Sequence, residues 1–218
     1  HQIAVAYDNL RLTEHSQQES YIAAAMLQVA QAISTQNNLE DILYATVNLM
    51  PILVGINACV IYLWDSAASR FKPAGVYSIS KSEKETILQH PLASGEALLV
   101  DRAFEQNQPH FCLLPEPAIS LSQWDTLNCQ PADRIFPTQP APSGGWLMAF
   151  PLASQGEKFG VLLTREIGAP IKFQSRRVEI ISGIAQQISL AIENETLKTK
   201  MLERERIERE FQLARQIQ

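Results

Sequence analysis

AQQISLAIENETLKTKMLERERIEREFQLARQIQ, residues Ala185–Gln218, reads as one uninterrupted helix, and its opening pattern already occurs at the start of the chain. Gln187, Ile188, Ala191, Asn194 and Leu197 repeat Gln2, Ile3, Ala6, Asn9 and Leu12 at a constant offset of 185 residues. The same offset carries a spaced seam, in which Leu190, Asn194, Leu197, Met201, Arg204, Ile207, Phe211 and Ala214 fall over Val5, Asn9, Leu12, Ser16, Glu19, Ile22, Met26 and Val29. Steps of four and three alternate except at Arg204 and Glu19, where two threes follow each other. A heptad seam with one such stammer is still a coiled-coil seam, locally overwound. One helix is therefore expected to enter a globular part and an equivalent one to leave it, as in a module from a tandem array. Asn194 and Asn9, polar on the seam, fix register and pairing at some cost in stability.

Working outward, 218 residues at 46% hydrophobic suffice for one buried core plus long helices. The formal net charge of −5, with basic residues interleaved among acidic ones, gives no footprint for nucleic acid. Cys59, Cys112 and Cys129 are odd in number and have no CxxC or Cys/His spacing, which argues against a disulfide framework or a structural zinc site and for a reducing cytoplasm. No apolar run has the length of a membrane span and no signal peptide precedes the first helix. Because helical patterns are already under way at His1 and still under way at Gln218, the chain is expected to be part of a longer protein.

Residues 2–34 read as helix, with Ile22, Met26, Val29 and Ile33 on one face. Leu39, Ile42, Leu43, Val47 and Met50 give a second helix, capped by Asn38 or Asn37 and reaching its end near Pro51. Asn57–Asp65 is apolar on both parities and so predicts a strand covered on both faces. Arg70–Ser78 pairs back on it. Ser82–Gln89 and Gly95–Asn107 predict short helices across one face of the sheet, with Ile87, Leu88, Leu98, Leu99, Arg102, Ala103 and Phe104 carrying the helical spacing. His110–Leu114 is a short strand. Six of the twelve prolines lie between Pro115 and Pro142, which predicts a long loop with at most a turn or two of helix over Ser120–Asn128. Trp146–Ala153 and Lys158–Arg165 form a hairpin around Ser154–Glu157. Ser175 is placed to cap the last helix, whose Val178, Ile181, Ile184 and Ile188 face the sheet.

This order of elements resembles the GAF domain, a small-molecule sensor module of bacterial signalling proteins. The likeness rests on Leu39–Leu43 before the Ala58–Leu63 strand, on Ala149–Leu152 with Phe159–Leu162, and on Ile184–Ile188 leading to Asn194, over about residues 20–198. It implies an α+β fold with an antiparallel sheet of five or six strands, the long terminal helices on one face, and the short helices, long loop and ligand cavity on the other. The implied division is a signalling helix over residues 1–34, a core over 35–182 and a coiled-coil linker over 183–218. The implied partners are a second copy, paired in parallel through the terminal helices, and a small molecule of unknown identity; the cofactor is left unknown, and no nucleic acid or membrane contact is expected within these residues. Ile207–Gln218 resembles the helix leading into PPM-type serine phosphatases of the stress-response kind, which implies an output domain beyond Gln218 and no catalysis in this chain; a histidine kinase or cyclase output stays open.

Candidate chemistry is sparse. Trp124 in the long loop and Trp146 after it, with Phe104 and His110, form a candidate rim for the ligand pocket, or else simply pin the loop. Cys59 and Cys112 read as small core hydrophobes and Cys129 as the exposed thiol. GAF relatives that attach a bilin do so at a cysteine usually followed by histidine, which none of these is. Others reduce free methionine sulfoxide with cysteines near the pocket, an alternative in which Cys112 and Cys129 meet. His90 and His110 each neighbour a proline and read as loop residues, not metal ligands. Ser143-Gly144-Gly145 precedes a strand and reads as a turn, not a phosphate loop. The signature of cyclic-nucleotide GAF domains is not evident. Within Glu203–Glu210, Glu205 with Arg209 and Glu203 with Arg206 are the expected ion pairs.

Overall fold

Alternation along β1 (Ala58–Asp65) and β7 (Glu157–Glu166) divides the molecule into two cores. Cys59 and Ile61 of β1 and Leu162 of β7 are buried on one side, whereas Val60, Tyr62, Val161 and Leu163 are buried on the other. Such strands need cover on both faces. The protein is described as a computed structural model over residues 20, 23–24, 27–31, 38–78, 81–113, 130–131, 145–166 and 174–217. The remaining strands are β2 (Arg70–Ser78), β3 (Leu92–Ala93), β4 (His110–Leu113), β5 (Gln130–Pro131) and β6 (Trp146–Ser154). The sheet runs β3-β2-β1-β7-β6-β4-β5 with all neighbours antiparallel. Four strands run to between 8 and 10 residues and β4 to 4; β3 and β5 add two residues each. Within the proline-rich stretch, Pro131 is accommodated because β5 is an edge strand.

Helices α1 (Leu39–Val54) and α4 (Gln174–Ile217) cover the first face. Helices α2 (Lys81–Gln89) and α3 (Leu98–Gln106) cover the second. Of the expected N-terminal apolar stripe, Ile22, Met26 and Ile33 lie outside the described residues. Val29, in the helical residues 27–31, is fully buried against the α1/α4 core. On α4, Ile181, Ile184 and Ile188 are buried against the sheet as expected, Val178 is partly buried there, and Ile192 continues the stripe. The helix begins at Gln174, so Ser175 lies in its first turn instead of before it. On α2 only Ile87 is buried; Leu88, also expected to pack, is exposed.

Local chemistry fixes the connections. Asn38 caps α1, its Oδ1 accepting the Asp41 N–H at 2.8 Å. Asp65 Oδ1 accepts the N–H groups of Ala67 and Ala68, closing the β1–β2 turn. The Lys72 ammonium at 2.6 Å and those backbone donors hold the Asp65 carboxyl below its ordinary range. At the β6–β7 turn, Gln155 and Gly156 both take positive φ, the twist a two-residue hairpin requires. Gly160 allows β7 to approach β1 closely, since a Cβ there would overlap the Tyr62 carbonyl oxygen.

Helix α1 runs through Pro51 to Val54 before Gly55 ends it in the left-handed conformation, donating its N–H to the Pro51 carbonyl at 2.9 Å. Proline has no N–H to give Val47, four residues earlier, so that carbonyl loses its helical partner. The Cys59 thiol takes the vacant role, with Sγ 3.6 Å from the Val47 oxygen. Cys59 is thus more than a filler of the core: β1 mends the helix that covers it.

Two outcomes follow in urea denaturation. Cys59→Ala, which strands a buried carbonyl, costs about 1–2 kcal/mol in the native background and less after Pro51→Ala restores a backbone donor. Gly160→Ala costs about 3 kcal/mol, because the atoms it meets belong to a neighbouring backbone.

Candidate ligand site

Two concavities among the described residues are relevant to ligand binding. A wide groove of about 880 Å³ runs between the first turn of α1 and the β1–β2 turn, bordered by Glu40, Asp41, Tyr44 and Asp65. It is open to water, and its one lysine, Lys72, is already paired with Asp65. The second cavity is about 20 Å³, room for one water, between α2 and the sheet. Val60, Leu147, Leu163 and Ile87 make its apolar wall, and Glu83 and Arg165 bring opposite charges to it. An apolar recess with a few converging polar groups is the form small-molecule sites take, which makes this smaller space the candidate.

Its polar end is built by parity. Arg165 lies two residues after Leu163 on β7 and so projects to the α2/α3 face, where its guanidinium grips Glu83 with both Nη1 and Nη2. Ser78, the last residue of β2, donates its hydroxyl to the same carboxylate. Burial pushes the Glu83 carboxyl up, but Arg165 and Ser78 together outweigh it and leave the carboxyl below its ordinary range. A depressed folded-state value means that the pair contributes stability at neutral pH and loses it as pH falls through that value. The Arg165 Nε is buried with no partner among the described residues.

The next residue, Glu166, projects through the opposite face and pairs with Arg177 in the first turns of α4. Adjacent residues of one strand therefore tie the sheet to α2 on one side and to α4 on the other.

The sequence-predicted rim does not gather at this place. Trp146 opens β6, and period-two alternation sends it to the α1/α4 face, where it is buried with Phe111 at 5.4 Å between ring centroids. Its neighbour Leu147 is the residue that reaches the cavity. Phe104 packs with Trp64 and Phe71, each at 5.2 Å, on the α2/α3 face. His110 is buried, its Nδ1 2.9 Å from the Gln108 carbonyl and its Nε2 3.1 Å from the Gln106 side chain. Both ring nitrogens are occupied locally, leaving neither for a metal. Trp124 lies outside the described residues. Among these, no group of three or more metal-ligating side chains occurs.

The cysteines diverge as well. Cys59 is buried on the α1/α4 face and Cys112 on the α2/α3 face, so the sheet separates them. Burial, only partly offset by a hydrogen bond from the Tyr77 backbone, pushes the Cys59 thiol up to about 12 and leaves it no thiolate near neutral pH. Cys129 lies outside the described residues.

Sequence reasoning missed Glu83 and Arg165. The available signal was an arginine on β7 that shares the inward parity of Val161 and Leu163, which obliges a counter-charge from the covering helix.

A family model described as GAF domain matches residues 38–194. No curated protein sequence matches the chain at a significant level. The GAF domain of a phosphoenolpyruvate-protein phosphotransferase from Coxiella burnetii superposes with a TM-score of 0.61 at 14% identity, covering 83% of this chain and 98% of that one. For the GAF domain/HD domain protein from Geobacter sulfurreducens the TM-score is 0.56 at 14% identity, with coverages of 76% and 98%. Free methionine-R-sulfoxide reductase from Neisseria meningitidis, in complex with its substrate, gives 0.55 at 13% identity, with coverages of 79% and 88%. Likeness at these identities concerns the fold alone. With a two-faced antiparallel sheet, helices on each side and a family match over most of its length, the chain belongs to the GAF domain family, sensory and regulatory modules of signalling proteins.

Proposed function

We propose that this chain is the sensor of a signalling protein, binding a small molecule at the α2 face of the sheet and pairing in parallel with a second copy through its terminal helices. Its output passes along α4 to a C-terminal effector of the PPM-type serine phosphatase kind. The observation that carries this reading is the disposition of α4. At about 100° per residue, Leu190, Leu197 and Met201 fall opposite Ile181, Ile184, Ile188 and Ile192. The isoleucines are buried in the domain, while Leu197 and Met201 are 51% and 65% exposed and Phe211, further along, 67%.

A helix of about 20 residues without tertiary cover is marginal in water, so the stretch beyond Leu197 needs a partner. Ion pairs supply little of what is missing. Glu205 pairs with Arg209 as expected, but Arg206 pairs with Glu210 and not with Glu203, and all four side chains are exposed. A second copy in parallel register sets Leu197 against Leu197 and buries the seam. The polar seam position Asn194 and the stammer near Arg204 then give two helix packings of similar energy, a bistable element on which a ligand acts. Arg165 and Glu166 supply a route to it, one holding the ligand-side helix and the other holding α4. Among the described residues no helix is long and apolar enough to cross a membrane.

Sedimentation at tens of micromolar should give a dimer for the 218-residue chain and a monomer for Leu197→Asp/Met201→Asp. Both positions face away from the domain core, so the thermal midpoint of the folded domain stays close to that of the parent at matched monomer concentration. A monomeric parent, or a variant that still dimerises, would overturn the seam.

A further inference from the structure

We propose that the cavity between α2 and the sheet takes a small aliphatic carboxylate, whose carboxylate replaces Glu83 on the Arg165 guanidinium while its apolar tail enters between Ile87 and Leu163. The inference rests on the sensor reading for its location and adds the chemical class of the ligand.

Three observations converge on it. Arg165 is the one cation lining the cavity among the described residues, and apart from Glu83 and Cys59 the rest of the wall is aliphatic. A guanidinium presents five donors in a fixed fork; Glu83 takes the Nη side, and the buried Nε remains without a partner. Glu83 therefore satisfies the arginine incompletely, as a tethered carboxylate standing where a free one fits.

The tether itself is weak. Helix α2 spans nine residues and buries only Ile87; the contacts that hold it to the rest of the domain are otherwise polar and include those of Glu83 with Arg165 and Ser78 and the Lys84 ammonium over the Tyr44 ring. The space of about 20 Å³ is too small for a branched tail, and entry requires α2 to lift. Exchange of one carboxylate for another keeps the arginine charge compensated throughout, which avoids the cost of an unpaired buried cation. An incoming tail gains burial against Val60, Leu147 and Leu163, which the polar Glu83 stem does not provide. The amide of the same shape cannot replace a carboxylate on the fork, and acetate brings too little apolar surface.

The test is titration of the methyl-labelled 218-residue chain with isobutyrate, acetate and isobutyramide, following the methyl signals of Val60, Ile87 and Leu163 by NMR. Isobutyrate should shift all three saturably, with acetate and isobutyramide at least about tenfold weaker. Glu83→Gln, which removes the internal competitor, should tighten isobutyrate about tenfold. Arg165→Gln should abolish binding, and the Glu83→Gln/Arg165→Gln variant, which leaves no lone charge behind, should abolish it too. Equal binding of isobutyramide overturns the carboxylate but leaves a ligand cavity in place. Retention of isobutyrate binding by the double variant, or no shift by isobutyrate even in Glu83→Gln, overturns the site, while the dimeric seam is judged separately by sedimentation.

Discussion

A sheet buried on both faces has no neutral place for a charged side chain, and β7 carries two in succession at its end. Arg165 and Glu166 point to opposite sides because a strand alternates with period two. Each must find its counter-charge in whichever helix covers that side, since a charge left alone in an apolar layer is costly. The partners are Glu83 of α2, 82 residues before Arg165, and Arg177 of α4, 11 residues after Glu166. These two pairs specify which helix sits on which face and how far along the sheet, information that nonspecific burial of isoleucine and leucine does not contain.

The same strand sets the spacing beneath them. Gly160 lets β7 close on Tyr62, and from there Val161, Leu162, Leu163 and Thr164 distribute alternately between the two cores. Beyond β1, the thiol of Cys59 reaches the Val47 carbonyl that Pro51 leaves open, so α1 is held to the sheet by a specific bond in addition to its apolar stripe. The α1/α4 layer is accordingly the well-fastened one. On the other side α2 offers one buried side chain, and mobility needed for ligand entry is most easily found there.

Much of this was legible in the sequence because it rests on short-range periodicity. The double apolar parity of β1 predicted a sheet covered twice, the spacing of Ile181, Ile184 and Ile188 predicted the packed face of α4, and Asn38 predicted the cap of α1. The site was less legible because its parts are brought together by topology. Glu83 and Arg165 are 82 residues apart, and only the antiparallel neighbours β2, β1 and β7 place Ser78, Glu83 and Arg165 at one end of the sheet. Trp146 illustrates the opposite difficulty: position after a long loop suggested a rim, whereas a single-residue parity sends it to the other core. Strand parity, counted from Phe150 and Leu152 back to Trp146, would have shown that it shares their face.

Helix α4 reconciles two demands that a shorter element would have to divide. Its isoleucines bind the domain and the leucines half a turn away stay exposed, so in the proposed dimer the seam and the core share the same backbone from Leu190 to Ile192. Any rotation of the helix about its axis therefore alters both surfaces together. Arg177 sits in the first turns, close to the Gly55 end of α1, and its bond to Glu166 is the point at which the sheet constrains that rotation. In the proposed sensor, movement of α2 acts on Arg165, one peptide unit from Glu166, and the long lever of α4 enlarges a small angular change at Arg177 into a change of register at the seam. A rigid helix transmits such a change without further contacts, and the proposed lever is a stretch of α4 whose side chains are exposed from Leu197 to Gln212.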